Sequence, residues 1–250
     1  METIDIPAQT HPWSTVLEVA RQLHGGRMAV DRGLMVQAHA MLHRLPARPT
    51  TDADFLLDIL AYDRIASQMR SFLCVMGYEL EEDTITEYAT RLTTKSEHKV
   101  DLMVTDYLYG KAKRENATLA GKRLCGMPGG GQAIRRSSHI LIRYRDETAG
   151  IRIPDLLGAV MLKSAAWAVD KTNRRDRHLA DAALLLSLID DPDEQVERLH
   201  SRNDRKRILR LHEMLTEDSE YWQVLDDVHR QNGIDVLDTL TDWAEKPVDS

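Results

Sequence analysis

The chain predicts an α/β (α+β) fold, a mixed sheet flanked by helices and followed by a C-terminal helical region. Three observations carry this. Short strands alternate with helix-period segments up to about Leu108. A looser, basic, glycine-containing stretch from Tyr107 to Pro154 then ends in a hairpin pattern. Beyond Pro154 nearly every segment has helical spacing. The break predicts a core over residues 1–154 and a helical region over residues 155–250 packed on it.

The elements follow in order. Trp13 to Leu23 places Val16, Leu17, Val19, Ala20 and Leu23 at helical spacing. Gly25-Gly26 breaks it before a short apolar strand, Met28-Ala29-Val30. Gly33 punctuates a turn, and Leu34 to Leu45 reads as a helix. Pro46 and Pro49 frame a connection into the strand that begins Asp52-Ala53-Asp54. Asp63 to Met76 is a helix with a C-terminal stop at Gly77. Glu87 to Thr93 and Lys99 to Thr105 read as antiparallel neighbours, and Ser138 to Tyr144 with Gly150 to Ile153 as a closing hairpin. Asp155 is a good N-cap for a helix from Leu156 to Val169. Arg175 to Ile189 forms the next, Asp190 to Asp193 ends it, and two or three amphipathic helices finish near Trp243.

Composition bounds the function. The chain has 250 residues, 42% hydrophobic and 29% charged, ordinary for a soluble globular protein. The net charge of -7 gives no general pull toward nucleic acid. Cys74 and Cys125 stand in unrelated contexts and suit a reducing compartment. No apolar run is long enough for a membrane helix and the N-terminus lacks a secretory pattern, so a cytoplasmic location and no membrane partner are expected. The histidines show no zinc spacing, and no motif supports Ser/His/Asp or Cys/His catalysis.

The informative triplet is Asp52-Ala53-Asp54. In a strand, alternate side chains share a face, so the two carboxylates project together. Like charges that close repel unless a cation lies between them, and Mg²⁺ prefers such oxygens. A polar turn is the plainer explanation of the triplet alone. Asp101, the single acid in the apolar strand Lys99 to Val104, joins Asp52 and Asp54 if the two strands are neighbours; otherwise it is a solvent-facing acid.

Lys163 lies among Leu156, Val160 and Trp167 at helical spacing, and Asp181 among Leu184, Leu185 and Leu188. Spacing leaves two readings open: a structural Lys163–Asp181 ion pair, or a lysine that contacts phosphate with Asp181 in support. Met127-Pro128-Gly129-Gly130-Gly131 favours a flexible turn over a phosphate-cradling loop, since no Walker-type Lys-Ser/Thr follows. The basic residues Arg202, Arg205, Lys206, Arg207 and Arg210 form either a solvated helix face or a patch for RNA backbone, which Arg174, Arg175 and Arg177 would extend. The second region adds Lys111, Lys113, Arg114, Lys122, Arg123, Arg135 and Arg136.

The order of Ala29-Val30-Asp31-Arg32-Gly33-Leu34-Met35-Val36, Arg48-Pro49-Thr50-Thr51-Asp52-Ala53-Asp54, Val100-Asp101-Leu102, Lys163 and Arg177-His178-Leu179-Ala180-Asp181 resembles the nucleotidyltransferase superfamily, in its AbiEii/MenT-like, toxin-type bacterial branch. The resemblance covers most of the chain to about Ile189. It implies the nucleotidyltransferase fold and Mg²⁺-dependent transfer of a nucleoside monophosphate from an NTP, releasing pyrophosphate. It implies Asp52, Asp54 and Asp101 as metal-holding and catalytic acids, with Asp101 alternatively the general base. It implies that Arg32 and Gly33 approach the nucleotide, that Lys163 meets developing phosphate charge, and that Asp181 matches the C-terminal motif. It further implies an RNA acceptor, the tRNA 3′ end, and a toxin with an antitoxin protein as partner.

The family's turn usually carries Gly-Gly or Gly-Ser where this chain has Arg32-Gly33. Arg32 there offers a charge-assisted phosphate contact, and Asp31 beside it is either a further metal ligand or, more simply, an exposed turn acid. Two other readings stand beside the RNA-directed enzyme. One is a small-molecule, antibiotic-type nucleotidyltransferase, which the acidic charge suits. The other is a degenerate nucleotidyltransferase fold kept as a binding module, which Arg32 motivates.

Overall fold

A computed structural model of the chain describes residues 1–6, 11–23, 27–81, 90–106, 108 and 117–247. Gly25 and Gly26, the start of the strand expected over Glu87 to Thr93, and Lys111, Lys113 and Arg114 lie outside the described residues. The chain divides into two compact units, Met1–Pro154 and Asp155–Ser250.

The first unit runs β1 (Thr3–Asp5), α1 (Trp13–Leu23), β2 (Met28–Val30), α2 (Arg32–Leu42), β3 (Asp52–Leu57), α3 (Ile65–Val75), β4 (Glu79–Leu80), β5 (Arg91–Thr93), β6 (Lys99–Thr105), β7 (Thr118–Leu119), β8 (Lys122–Arg123), β9 (Cys125–Met127), α4 (Gly130–Arg135), β10 (Ser137–Tyr144) and β11 (Glu147–Pro154). Among the described residues, nine strands form one mixed sheet in the order β1-β10-β11-β2-β3-β6-β5-β4, with β9 beside β6. The β7–β8 pair stands apart.

The centre of the sheet positions the acids. β3 runs parallel to β6 and antiparallel to β2. Ala53, Phe55 and Leu57 of β3, with Val100, Leu102 and Val104 of β6, point into the main hydrophobic cluster beside α1 residues Val16, Leu17 and Val19. The two-residue period therefore turns Asp52, Asp54 and Asp101 to the opposite face. Further along that face, Gly130 opens α4 so close that a methyl there would lie 3.2 Å from Leu56 Cδ1 and from Thr105 Cα. Gly129 before it has φ +84° and donates its N–H to Asp106 Oδ2 at 3.0 Å. The triple glycine is thus a seated, left-handed entry into a short helix rather than a loose turn.

The second unit is helical: α5 (Leu156–Val169), α6 (Arg177–Leu186), α7 (Pro192–Glu197), α8 (Arg202–Met214) and α9 (Asp227–Glu245). Asp155 caps α5 by accepting from the Gly158 N–H at 2.8 Å. Asp191 caps α7 in front of a proline at its start, and Ser201 with Asp204 forms a capping box on α8. Gly233 sits inside α9 because a methyl there would come 2.6 Å from the Trp222 ring and 3.3 Å from Ser187 Cα. No helix among the described residues is long and apolar enough to cross a membrane.

Candidate functional site

Register brings the first two acids together. Asp54 on β3 pairs with Asp101 on β6 in the parallel ladder. Their side chains are only 4% and 6% exposed, so burial removes the solvent that would ease their repulsion. Asp101 is therefore not the solvent-facing acid that was its alternative. Asp52, two residues from Asp54, is more exposed at 29%.

Arginines answer this charge. The turn between β2 and α2 is tied to β3 by the Asp31 N–H, which donates to the Asp54 carbonyl at 3.0 Å. That bond sets Arg32 beside the acids, with φ +53°. Its Nη1 donates to Asp54 Oδ1 at 3.2 Å and to Asp101 Oδ2 at 3.0 Å. On the other side Arg91, paired with Asp101 across the β5–β6 ladder, donates from Nε and Nη2 to Asp101 Oδ1 and Oδ2, both at 2.8 Å. Arg91 Nη2 also lies 3.6 Å from Asp52 Oδ2, which links Asp52 to the group.

Burial pushes the Asp54 carboxyl up to about 7; Arg32 opposes that rise, while Asp101, Asp31 and Asp52 add to it. Burial works against the Arg32 charge, but Asp54, Asp101 and Asp31 outweigh it and raise its pKa. The hydrogen bonds to Asp101 raise Arg91 further.

Two neighbours differ from the sequence reading. Asp31 is buried at 1% exposure rather than an exposed turn acid. Gly33 is buried in the first turn of α2, where a methyl would lie 2.8 Å from Thr50 Cβ and Oγ1. Its lack of a side chain lets α2 pass the approach to β3. Sequence reasoning missed Arg91. The signal was available only through the hairpin register, a basic residue opposite the lone acid of an apolar strand.

The donors suit Mg²⁺ chemically. They are hard carboxylate oxygens, and the position between Asp54 and Asp101 already takes a cation, the Arg32 guanidinium. The arrangement with Arg32 in place does not suit it. Among the described residues, no group of three or more His, Cys, Asp or Glu side chains is gathered closely enough to hold a metal ion.

The second unit holds Lys163 and Asp181. Lys163 Nζ donates to Asp181 Oδ2 at 2.8 Å, with both side chains 5% exposed, so the ion pair left open by spacing is formed. Beside them His178 Nε2 lies 3.0 Å from Asp170 Oδ2. Burial, and then the Lys163 charge, lower His178 to about 4, against the pull of Asp170. The basic run on α8 is partly consumed by packing. Arg205 Nη1 donates to the Ala244 carbonyl at 2.7 Å and the guanidinium lies 4.6 Å from the Trp243 ring centre. Arg210 Nη1 donates to the Ser164 carbonyl at 3.3 Å. Arg175 stacks at 4.0 Å on Trp167, and Arg177 lies 3.6 Å from Asp170.

No protein-family profile and no curated protein matches the chain. Among solved structures it is similar to one described as an antigenic nucleotidyltransferase-like protein from Paracoccidioides brasiliensis, at 12% identity and a TM-score of 0.49, over 80% of this chain and 86% of that one.

Proposed function

We propose that the chain is a Mg²⁺-dependent nucleotidyltransferase that moves a nucleoside monophosphate from an NTP to RNA, at the tRNA 3′ end, as a toxin of a toxin–antitoxin or phage-defence system. The observation that carries the reading is the register of β3 against β6, which gathers Asp54 and Asp101, with Asp52 alongside, next to the strand–turn–helix of β2 and α2. RNA, the toxin role and the antitoxin partner rest on the family resemblance.

In the step, an acceptor hydroxyl oxygen bonds to the α-phosphorus while the α–β phosphoanhydride bond breaks. Pyrophosphate leaves with that electron pair, and the hydroxyl proton passes to a carboxylate. Asp52, Asp54 and Asp101 would hold Mg²⁺, which when bound offsets the charge on the phosphate oxygens. Asp101 is the carboxylate the resemblance offers as the alternative acceptor of that proton. Lys163 and Asp181 enter the proposal on the family resemblance alone.

The test incubates purified chain and Mg²⁺ with NTPs labelled at the α-phosphate, offering total RNA and small metabolites separately. Pyrophosphate release with label in RNA supports the proposal, and label in a small metabolite replaces the acceptor. A second reading, a fold kept as a nucleotide-binding module, is favoured by the Arg32 bridge across the acids. NTP binding by calorimetry without transfer to any acceptor would establish it.

A further inference from the structure

We infer that the loop between α5 and α6 is a docking surface for a single-stranded polynucleotide. Lys171 and Arg174 meet its backbone phosphates, and a base stacks on the Arg175 guanidinium over Trp167. The surface lies within the second unit, is read from its own chemistry, and goes beyond the transfer proposed above.

Charge is concentrated here. The chain carries a net charge of -7, yet residues 170–177 include Lys171, Arg174, Arg175 and Arg177. The two acids among them are already answered. Asp170 accepts the Thr172 N–H at 2.8 Å, and His178 Nε2 lies 3.0 Å from it and Arg177 Nη2 3.6 Å. Asp176 accepts the Trp167 Nε1–H at 3.4 Å and lies 3.9 Å from Arg175 Nε. Lys171 and Arg174 are exposed, and neither side chain makes a hydrogen bond or an ion pair among the described residues. Their charge is left for a partner. The basic residues of α8 are weaker candidates, because Arg205 and Arg210 donate to backbone carbonyls.

The loop is tied rather than slack. The Arg174 N–H donates to Thr172 Oγ1 at 3.3 Å, the Arg175 N–H to the Thr172 carbonyl at 3.2 Å, and the His178 N–H to the Arg175 carbonyl at 2.9 Å. The basic residues are thus held in place before a ligand arrives, which lowers the entropy lost on binding.

The aromatic partner selects the ligand. The same turn folds Arg175 back onto α5, with its guanidinium carbon 4.0 Å from the Trp167 ring centre, and the bond to Asp176 fixes the indole. The Arg175 side chain is still 42% exposed. A planar cation resting on an indole can stack a second flat ring on its other face. A nucleobase is such a ring, and the phosphates beside it answer Lys171 and Arg174. A duplex hides its base faces, so an unpaired strand fits and a paired one does not. An acidic peptide would answer the charges and leave the stack unused.

The experiment measures fluorescence anisotropy of labelled oligouridine and oligothymidine, about twelve nucleotides long, with the full chain over a range of salt. The same strands annealed to their complements, and polyglutamate, are the comparison probes. The wild type should bind the single strands more tightly than the duplexes or polyglutamate. Lys171→Gln with Arg174→Gln should weaken binding about tenfold at low salt and flatten the slope of log affinity against log salt by about 1.4, the share of two phosphate contacts. Arg175→Lys keeps the charge and loses the plane, so affinity should fall about fivefold or more with the salt slope unchanged. Arg202→Gln with Lys206→Gln, exposed on α8, should bind as the wild type does. Whichever strand binds more tightly is the occupant, and either result supports the inference. Binding of neither strand, equal binding of duplex or polyglutamate, a loss carried by the α8 variant instead, or wild-type affinity in either loop variant would overturn it. All these changes lie on exposed or half-exposed side chains, so the melting temperature should stay near that of the wild type. Binding is read without NTP or Mg²⁺. A failure here leaves the transfer proposal standing, and a chain that binds as expected but never releases pyrophosphate sinks the transfer proposal alone.

Discussion

Lys163 on α5 and Asp181 on α6 form a 2.8 Å ion pair from which water is almost wholly excluded. Such a pair is a weak source of stability as a whole but a severe loss when halved. Lys163→Met should cost about 3–5 kcal/mol by leaving a buried carboxylate without its ammonium, whereas Lys163→Met with Asp181→Leu should fall near the wild type. Urea denaturation of the three proteins checks this. If the double variant is as stable as the wild type but releases no pyrophosphate, the pair serves chemistry rather than folding.

His178 predicts a pH dependence of stability. Its folded-state pKa is about 4, below the ordinary value of 6.5. Between these values the unfolded chain binds a proton that the folded chain refuses. The contribution is therefore full above 6.5 and is lost as pH falls through about 4. Burial, then Lys163 and Arg177, hold it down, while Asp170 and Asp181 pull it up. His178→Gln should flatten the slope in this window, by on the order of 1–2 kcal/mol after allowing for partial solvent screening. Denaturant midpoints measured across the window decide it.

Asp101 is the hub of the acid group, so Asp101→Asn should act twice. It weakens the fork from Arg91 and the contact from Arg32, costing about 2 kcal/mol by thermal unfolding. It also removes one of the three acids, and the proposed nucleotidyl transfer should fall about 100-fold or more. Arg91→Lys keeps the charge but not the fork. It should reproduce part of the stability loss with a smaller loss of transfer.

Gly33 is held by a close approach rather than by its dihedral. Gly33→Ala should destabilise by about 1–3 kcal/mol, because its methyl meets Thr50 at 2.8 Å. Thr50→Gly in the same chain should restore part of the loss.

The sequence made the local elements legible where pattern was strong. α1 and α5 follow from helical spacing and, for α5, the Asp155 cap; β3 and β6 follow from apolar runs. It was silent where pairing is non-local. β1 is three residues long and exists because it lies parallel to β10, far along the chain. α4 hides in a glycine run whose helicity depends on the space under Leu56 and Thr105. The acids were visible as residues, but the meeting of Asp54 with Asp101 depends on strand order and register. Arg32 was visible as a departure at the turn. That it bridges two acids required the Asp31–Asp54 backbone bond, which no spacing reveals.

The alternation along β3 and β6 has an evolutionary corollary. Ala53, Phe55, Val100 and Leu102 are held inward by the core, and the acids stand opposite one another as a geometric by-product. The alignment lasts for as long as the fold does, since sliding one strand by a residue would expose its apolar side. Selection on chemistry is free to act elsewhere, on the side chain that settles between the acids. Arg32, the side chain between the acids, is where the charge of this face can change while the strand register stays fixed.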